Sequence, residues 1–172
     1  MEKIQAHLTG ENISSNSPEA HALHKKSCFG EPIEGKIKYS LSESLFLVEK
    51  GKLEILVRNK KISRQELIGK LKRIDSRIQT KYPVYKNLRE KGYIVKTALK
   101  FGADFRVYDK GAKPSKKHAR WIVFADHESK KLTWHEFSAK NRVAHSTRKK
   151  LLLAIVDEEG DVTYYECGWI RP

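Results

Sequence analysis

The sequence predicts an α+β fold in two domains. The first, over residues 1–90, is helical and mixed, and the second, over residues 91–172, is an α/β domain with a central mixed sheet. Before residue 90, helix-capping pairs precede apolar residues spaced three or four positions apart. From Tyr93 onward, short apolar runs separated by Gly and Lys are typical of strands. A chain of 172 residues is long enough to bury a core in one or two small domains.

The first residues of the N-terminal domain carry little signal for regular structure, and a helix is predicted after them. Residues 1–36 hold scattered Ser, Asn, His and Gly, which indicates at most a few short strands. In KYSLSESLFLVEKG, Ser40 and Glu43 have capping-box spacing, and Gly51 ends the helix. Its predicted buried face consists of Leu41, Leu45 and Val48.

One strand and two further helices complete this domain. The segment LEILV (residues 53–57) alternates as a short strand does. Ser63 and Glu66 open a second helix. Pro83 then starts the short helix VYKNLREKG, which Gly92 closes. The apolar stripe of the second helix is Leu67, Leu71, Ile74 and Ile78.

The C-terminal domain is expected to contain five strands and one helix. YIVKT, FRVY and WIVFA are predicted as strands. Thr133 and Glu136 form a third capping box, which opens a helix that runs to about Arg148. The apolar run KLLLAIV predicts a buried strand, DEEGD a turn, and VTYYECGWI a closing strand.

Positive charge is the main compositional feature. The chain has 35 Lys and Arg against 21 Asp and Glu, a net charge of +14. Each side of residue 90 carries +7, so the excess is not a detachable basic tail. Charge spread through a folded chain favours a polyanionic partner such as nucleic acid, and the alternative is a solubilising surface.

Other features indicate a soluble, cytoplasmic protein. Cys28 and Cys167 lack CxxC spacing and are interpreted as reduced thiols. No apolar run approaches the roughly 20 residues needed to span a bilayer, so no membrane partner is expected. The N-terminal sequence MEKIQAHLTG lacks the apolar centre of a signal peptide.

No metal site and no cofactor are predicted. The seven histidines are scattered, without an HExxH motif or a Cys/His pairing. The one acidic cluster, in DEEGD, does not follow calcium-loop spacing, and GADFRVYDKG lacks the phosphate-binding GxxxxGK[ST] pattern.

The segment FRVYDKGAKPSKKHARWIVFA could carry acid–base chemistry on RNA. Cleavage by the neighbouring 2′-hydroxyl requires a base, an acid and a cation for the charged phosphorus. His118 suits the acid, because the reference pKa of histidine is ~6.5. Ionising Tyr108 at pH 7 would cost roughly 4 kcal/mol from a reference pKa near 10, and nearby ammonium groups lower that cost. The alternative is a packing tyrosine and a surface histidine.

Several segments resemble the archaeal tRNA-splicing endonuclease family. They are SLSESLFLVEKGKLEI, VYKNLREKGYIVKTALKFGADFRVYDKG, KKHARWIVF and RVAHSTRKKLLLAIVDEEGDVTYY, which together span about residues 40–172 in order. The resemblance implies cleavage at both exon–intron junctions of precursor tRNA, within a bulge–helix–bulge structure. The products would carry 2′,3′-cyclic phosphate and 5′-hydroxyl ends without metal chemistry. It also implies a restriction-endonuclease-like C-terminal domain.

The resemblance assigns a role to each candidate catalytic residue. Tyr108 in FRVYDKG matches the general base, His118 the general acid, and Lys149 in STRKK the lysine that stabilises the transition state. Lys150 is the alternative if the register differs by one residue.

The resemblance also implies RNA contacts near the end of the chain. Arg142 in NRVAHS matches an arginine that stacks on a flipped-out base of the bulge, which agrees with how unstacked bases are read on guanidinium planes. An ordinary helix-surface arginine is the alternative. Trp169 and Arg171 are further candidates for RNA contact, and packing or surface roles are the alternatives.

The turn DEEGD resembles the family's acidic loop, which docks into a basic groove of another subunit. Its carboxylates are Asp157, Glu158, Glu159 and Asp161. The alternative is a solvated hairpin turn. The closing strand resembles the segment that pairs subunits edge to edge. Together these features imply a homotetramer built as a dimer of dimers.

Two other functions compete with this interpretation. A non-catalytic RNA-binding or structural subunit should lack one of the three catalytic positions, and all three are present here. A metal-dependent nuclease acting on DNA should carry acidic ligands where this chain has tyrosine and histidine.

Overall fold

The computed structural model describes residues 3–172, which divide into two compact units. The first unit ends at Gln79 and the second runs from Thr80 to Pro172. Each unit combines helices with a mixed sheet, in agreement with the predicted α+β class.

The first unit is built around a six-stranded sheet in the order β3-β4-β2-β1-β5-β6. Strands β1 and β5 are parallel, and the other neighbours are antiparallel. Its elements are β1 (Ile4–Thr9), β2 (Asn12–Ser15), α1 (Pro18–Ser27), β3 (Glu31–Ile33), β4 (Lys36–Tyr39), α2 (Leu41–Glu49), β5 (Leu53–Val57), β6 (Lys60–Lys61) and α3 (Arg64–Ile74).

Residues before 40 form four strands and a helix, which is more regular structure than the few short strands expected there. The buried side chains of Ile4, Ala6 and Leu8 alternate with exposed ones along β1, which is the two-residue period of a half-buried strand. The Oγ of Ser17 accepts a hydrogen bond from the backbone N of Ala20 at 3.2 Å and so caps α1. The alternation along β1 and the Ser17 cap of α1 are both local sequence signals. They are hard to recognise because each segment is short and polar.

Helix α2 begins at the predicted capping box, in which the backbone N of Glu43 donates to Ser40 Oγ at 3.3 Å. Its predicted buried face is only partly right. Leu45 is buried, but Leu41 and Val48 are half-buried, and every residue from Ser42 to Leu47 is buried. Packing against both α3 and β5 covers more of α2 than one amphipathic face.

Helix α3 begins at the predicted box of Ser63 and Glu66, but its apolar stripe is shorter than expected. The helix ends at Ile74, where Asp75 accepts a hydrogen bond from the backbone N of Arg77 at 2.9 Å. Ile78 therefore belongs to the next helix.

The second unit contains a five-stranded sheet in the order β11-β10-β9-β8-β7. Strands β9 and β10 are parallel, and the other neighbours are antiparallel. Its elements are α4 (Ile78–Glu90, entered from the first unit), β7 (Ile94–Ala98), a 3-10 turn (Leu99–Phe101), β8 (Ala103–Tyr108), β9 (Trp121–His127), α5 (Trp134–Ser146), β10 (Lys150–Val156) and β11 (Val162–Cys167).

Helix α4 covers one face of this sheet. The rings of Tyr85 and Phe105 lie 5.9 Å apart, and Tyr164 Oη donates to Asn87 Oδ1 at 3.0 Å. The expectation that Pro83 starts this helix is wrong, since Pro83 lies inside it. A proline removes one helical hydrogen bond, and packing of the following turns on the sheet outweighs that loss. The same packing assigns most of α4 to the second unit, whereas the sequence suggested a division at residue 90.

Helix α5 covers the opposite face and connects the two parallel strands. It begins at the predicted box, where the backbone N of Glu136 donates to Thr133 Oγ1 at 3.2 Å. Its Ala144 packs in a buried cluster with Ile122 of β9 and Leu151 of β10. Two adjacent parallel strands need a crossover connection, and α5 provides it here. Strands β9 and β10 therefore begin at the same edge of the sheet.

Among residues 3–172, no helix has the length and apolar character needed to cross a membrane.

Candidate active site

Three strand ends meet at one edge of the second sheet. Val107 of β8 pairs with Trp121 of β9, and Trp121 pairs with Lys150 of β10. The carboxyl end of β8 therefore lies beside the first residues of β9 and β10. With strands about 4.8 Å apart, this row is about 10 Å wide.

Tyr108 is the last residue of β8, one position beyond this row. Alternation along the strand places its side chain on the face opposite Val107, which is the face that α5 covers. Only 4% of Tyr108 is exposed, so its neighbours restrict the orientation of the ring.

His118 lies in the loop of residues 109–120, which joins β8 to β9. The loop begins and ends at the row, since the backbone N of Arg120 donates to Val107 O at 2.8 Å. His118 itself is exposed. The loop also exposes four lysines, Lys110, Lys113, Lys116 and Lys117.

Lys149 directly precedes β10, which spans the predicted segment KLLLAIV. Its Nζ donates to Thr147 O at 2.8 Å and lies 5.5 Å from the centre of the Phe101 ring. Phe101 packs against the cluster beneath α5, so Lys149 and Tyr108 lie on the same face of the sheet.

Lys150, the alternative lysine, has a different environment. Its Nζ donates to Glu166 Oε1 of β11 at 2.6 Å. A lysine held by a carboxylate is a poorer partner for a phosphate, which favours Lys149. The assignment of the catalytic roles stays a prediction.

A second group of contacts at this edge was not predicted from the sequence. Glu166 also accepts a hydrogen bond from Trp121 Nε1 at 2.7 Å, so one carboxylate joins the first residues of β9 and β10. The bond from Lys150, followed by that from Trp121, lowers the pKa of Glu166 below its usual range. Trp121 and Glu166 are 45 residues apart, and no local pattern signals such a pair.

The base of the loop is closed by an ion pair. Arg120 Nη1 lies 3.3 Å from Asp109 Oδ1, and the guanidinium lies 4.3 Å from the centre of the Trp121 ring. Asp109 follows Tyr108 and Arg120 precedes Trp121, so the pair joins the two ends of the segment that carries His118.

The predicted RNA-contact residues lie on α5 and on the chain after β11. Arg142 is exposed on α5, and His145 follows it by one turn. The Trp169 ring meets the His145 ring edge to face at 4.0 Å, and the Arg171 guanidinium lies 5.2 Å from the centre of the Trp169 ring. Trp169 was expected within the closing strand, but β11 ends at Cys167, just before Gly168. His145 was missed because a lone helical histidine carries no signal.

The acidic segment forms the predicted turn between β10 and β11. The backbone N of Asp161 donates to Asp157 Oδ1 at 2.8 Å, which holds the turn closed. His127 Nε2 lies 3.9 Å from Glu158 Oε1. Glu158 and Glu159 are exposed at its tip.

Residues 3–172 contain no group of three or more His, Cys, Asp or Glu side chains arranged to hold a metal ion. The sheet edge combines a tyrosine, a histidine and a lysine beneath a cationic loop. This arrangement defines a candidate acid–base site for a polyanionic substrate.

Comparison with known families identifies the two units. Residues 4–68 match the tRNA intron endonuclease N-terminal domain, and residues 78–164 match the tRNA intron endonuclease catalytic C-terminal domain. The chain belongs to the tRNA intron endonuclease family.

Relatives named tRNA-splicing endonuclease match three quarters or more of the chain, and two of them match nearly all of it. The protein of Thermococcus gammatolerans is 41% identical over 169 residues, which cover 98% of this chain and 99% of that protein. The protein of Methanothermobacter thermautotrophicus is 41% identical over 171 residues, or 99% of each chain. The protein of Nanoarchaeum equitans is 44% identical over 138 residues, covering 77% of this chain and 88% of its own.

The contacts of Glu166 predict a pH-dependent contribution to stability. Glu166→Gln removes the charge and keeps the size. Because the folded pKa lies below the unfolded value of about 4.3, the stabilisation is present above that pH and disappears as the pH falls through the folded pKa. The thermal midpoint of the variant should lie below that of the wild type at neutral pH, and the two should converge in acid.

The matched control is Glu11→Gln, an exposed glutamate of the first unit. Its midpoint should follow the wild type across the same pH series. Equal midpoints for wild type and Glu166→Gln at neutral pH would show that Glu166 does not stabilise the edge.

Proposed function

We infer that this chain is an endoribonuclease that excises introns from precursor tRNA. The observation that carries this function is the match of both units to the tRNA intron endonuclease domains, together with relatives of that activity over 98% or more of the chain. The cationic loop and the net charge of +14 suit a polyanionic substrate.

The proposed reaction is a transesterification at each splice site. The Tyr108 phenolate takes the proton of the 2′-hydroxyl, whose oxygen attacks the adjacent phosphorus. His118 gives a proton to the departing 5′ oxygen, and Lys149 stabilises the additional negative charge on the phosphorane. The products are a 2′,3′-cyclic phosphate and a 5′-hydroxyl, so the reaction needs neither water nor metal as a reactant.

The position of the three groups supports these roles. All three lie at the edge where β8 ends and β9 and β10 begin, and the Asp109–Arg120 ion pair restrains the loop that carries the acid. We propose that this sheet with its two flanking helices is a restriction-endonuclease-like catalytic domain.

The proposed substrate structure is a bulge–helix–bulge, cut at both bulges. Arg142 stacks on an extruded bulge base, and the exposed Trp169 and Arg171 extend this surface from the other side of His145. Stacking on guanidinium and aromatic planes is how proteins hold unstacked RNA bases.

The proposed assembly is a homotetramer made of two dimers. Strand β11 lies at the end of its sheet and exposes Tyr165, so its free edge can pair with a second copy. The acidic turn at residues 157–161 then docks into a basic groove of another subunit, which its exposed carboxylates favour.

Cleavage by the purified protein alone tests the function. In EDTA, a bulge–helix–bulge precursor should be cut at both junctions, leaving cyclic phosphate and 5′-hydroxyl ends. A 2′-deoxy nucleotide at one cut site should abolish cleavage there and leave the other site active. Cleavage of the deoxy site, or dependence on a divalent ion, would contradict the proposed chemistry.

Substitutions separate the chemical step from binding. His118→Ala and Lys149→Ala should each lower the single-turnover rate at saturating RNA at least ~100-fold, because acid–base groups contribute about 10²–10⁴ in rate. RNA affinity should change little. Lys150→Ala is the matched control, and its single-turnover rate should fall less than that of Lys149→Ala. A larger fall in rate for Lys150→Ala than for Lys149→Ala would shift the catalytic role to Lys150.

Neutralising the acidic turn tests the assembly. Asp157→Asn, Glu158→Gln, Glu159→Gln and Asp161→Asn together keep hydrogen-bonding atoms and remove four charges. The tetramer should become a dimer in sedimentation experiments. The control replaces Glu11, Glu19 and Glu34 by Gln elsewhere on the surface, and an unchanged mass for the turn variant would rule out this docking.

A further inference from the structure

The first unit contains a cleft of about 550 Å³ that the proposed chemistry does not use. It lies between the end of β1, the turn that follows β5, and the second half of α3. All of its lining residues belong to this unit. We propose that this cleft binds phosphates of the RNA substrate. The inference rests on the proposed function only in taking RNA as the substrate.

The position of the cleft follows from the sheet. Strands β1 and β5 are parallel neighbours, with His7 opposite Leu56, so both carboxyl ends open at the same edge. Crevices outside the carboxyl ends of parallel strands are common ligand sites, because the connections diverge there. Helix α3 forms the remaining wall through Lys70, Arg73 and Ile74.

The polar lining of the cleft is cationic. Arg58, Lys70 and Arg73 contribute three positive charges, His7 adds an imidazole, and no Asp or Glu of the described residues lines the cleft. None of the three cations forms an ion pair within residues 3–172.

Two carboxylates on the elements that border the cleft have other hydrogen-bond or ion-pair partners. Glu66, one turn before Lys70 on α3, accepts a hydrogen bond from the backbone N of Ser63 at 2.7 Å. Glu54 of β5 lies 2.6 Å from Lys61 and 3.5 Å from Lys3. The cations of the cleft are therefore available for an external anion.

The turn after β5 brings Arg58 to the cleft in an unusual backbone conformation. Arg58 and Asn59 have φ of 49° and 63°, and Val57 pairs with Lys60, as in a two-residue hairpin turn. Asparagine tolerates the left-handed region, whereas arginine gains nothing from it. A two-residue turn of this kind requires positive φ at both central residues, so the turn fixes the backbone of Arg58 and places this residue in the lining of the cleft.

The shape and charge of the cleft favour an RNA backbone over other ligands. Its volume lies within the roughly 300–1,000 Å³ range of small-ligand sites, which is enough for a nucleotide unit. Val57 and Ile74, both half-buried, offer apolar surface to a ribose, while the cations meet the phosphates. The first unit carries a net charge of +5 over residues 1–79, so a polyanion is also attracted from a distance.

The test measures the salt dependence of RNA binding. The cleft variant is Arg58→Asn, Lys70→Gln and Arg73→Gln, in which asparagine suits the left-handed position. The probe is full-length precursor tRNA with 2′-deoxy nucleotides at both cut sites. The variant should bind at least ~10-fold more weakly near 0.1 M salt, and the slope of log K against log salt should shrink by about two, since each phosphate contact contributes about 0.7–0.9.

The matched control replaces Lys25, Lys36 and Lys52 by Gln. These exposed lysines belong to the same unit, lie outside the cleft and remove the same charge. If these cations acted only through long-range attraction, the cleft variant and the control variant would lose the same amount of RNA affinity. That result would overturn the proposal. Binding by the cleft variant that equals the wild type would also overturn it.

Two further readouts separate the alternatives. Wild-type cleavage of unmodified precursor tests the proposed function independently of the cleft, because failure of that cleavage would contradict the function whatever the cleft variant binds. If sedimentation shows a lower mass for the cleft variant and not for the control, the occupant is another copy of this chain, and the RNA proposal fails.

Discussion

The hydrogen-bonded register of β8, β9 and β10 is the constraint on which the candidate site depends. Val107, Trp121 and Lys150 form one row, and each catalytic candidate lies just outside it. A slip of one residue in either pairing would move Tyr108 or the lysine to the opposite face of the sheet. Because β9 and β10 are parallel, helix α5 must return the chain between them, and its buried face thereby maintains the register.

Some charged side chains at this edge pair with one another and hold the strand ends, whereas Lys149 is placed to meet the substrate. On the α4 face, Glu166 holds Lys150 and Trp121, and Asp109 holds Arg120 at the base of the loop. On the α5 face, Lys149 donates to a carbonyl oxygen and lies near an aromatic ring, and no carboxylate of residues 3–172 forms an ion pair with it. Paired cations keep the strand ends in position, and the lysine without a carboxylate partner can meet a phosphate.

The sequence predicted those elements whose signals are local. The capping boxes at Ser40, Ser63 and Thr133 each place a helix start within a few residues. The strands before residue 40 were expected but could not be placed, because they are short and polar. Helix α4 was begun too late because Pro83 indicates a helix start more often than a helix interior. For the site, residue types could not select Lys149 among so many lysines, and the family resemblance made that choice. Contacts such as Trp121–Glu166 depend on the fold and leave no trace in a single sequence.

The central claim is that His118 and Lys149 act together on one phosphodiester because the register brings their strand ends to one edge. A double-mutant cycle tests this claim most directly, with single-turnover rates for His118→Ala, Lys149→Ala and the variant carrying both. Groups that act as one unit are strongly non-additive, so the double variant should lose about as much rate as the worse single variant. A double variant whose loss equals the product of the two single losses would contradict the account, since independent sites add in free energy.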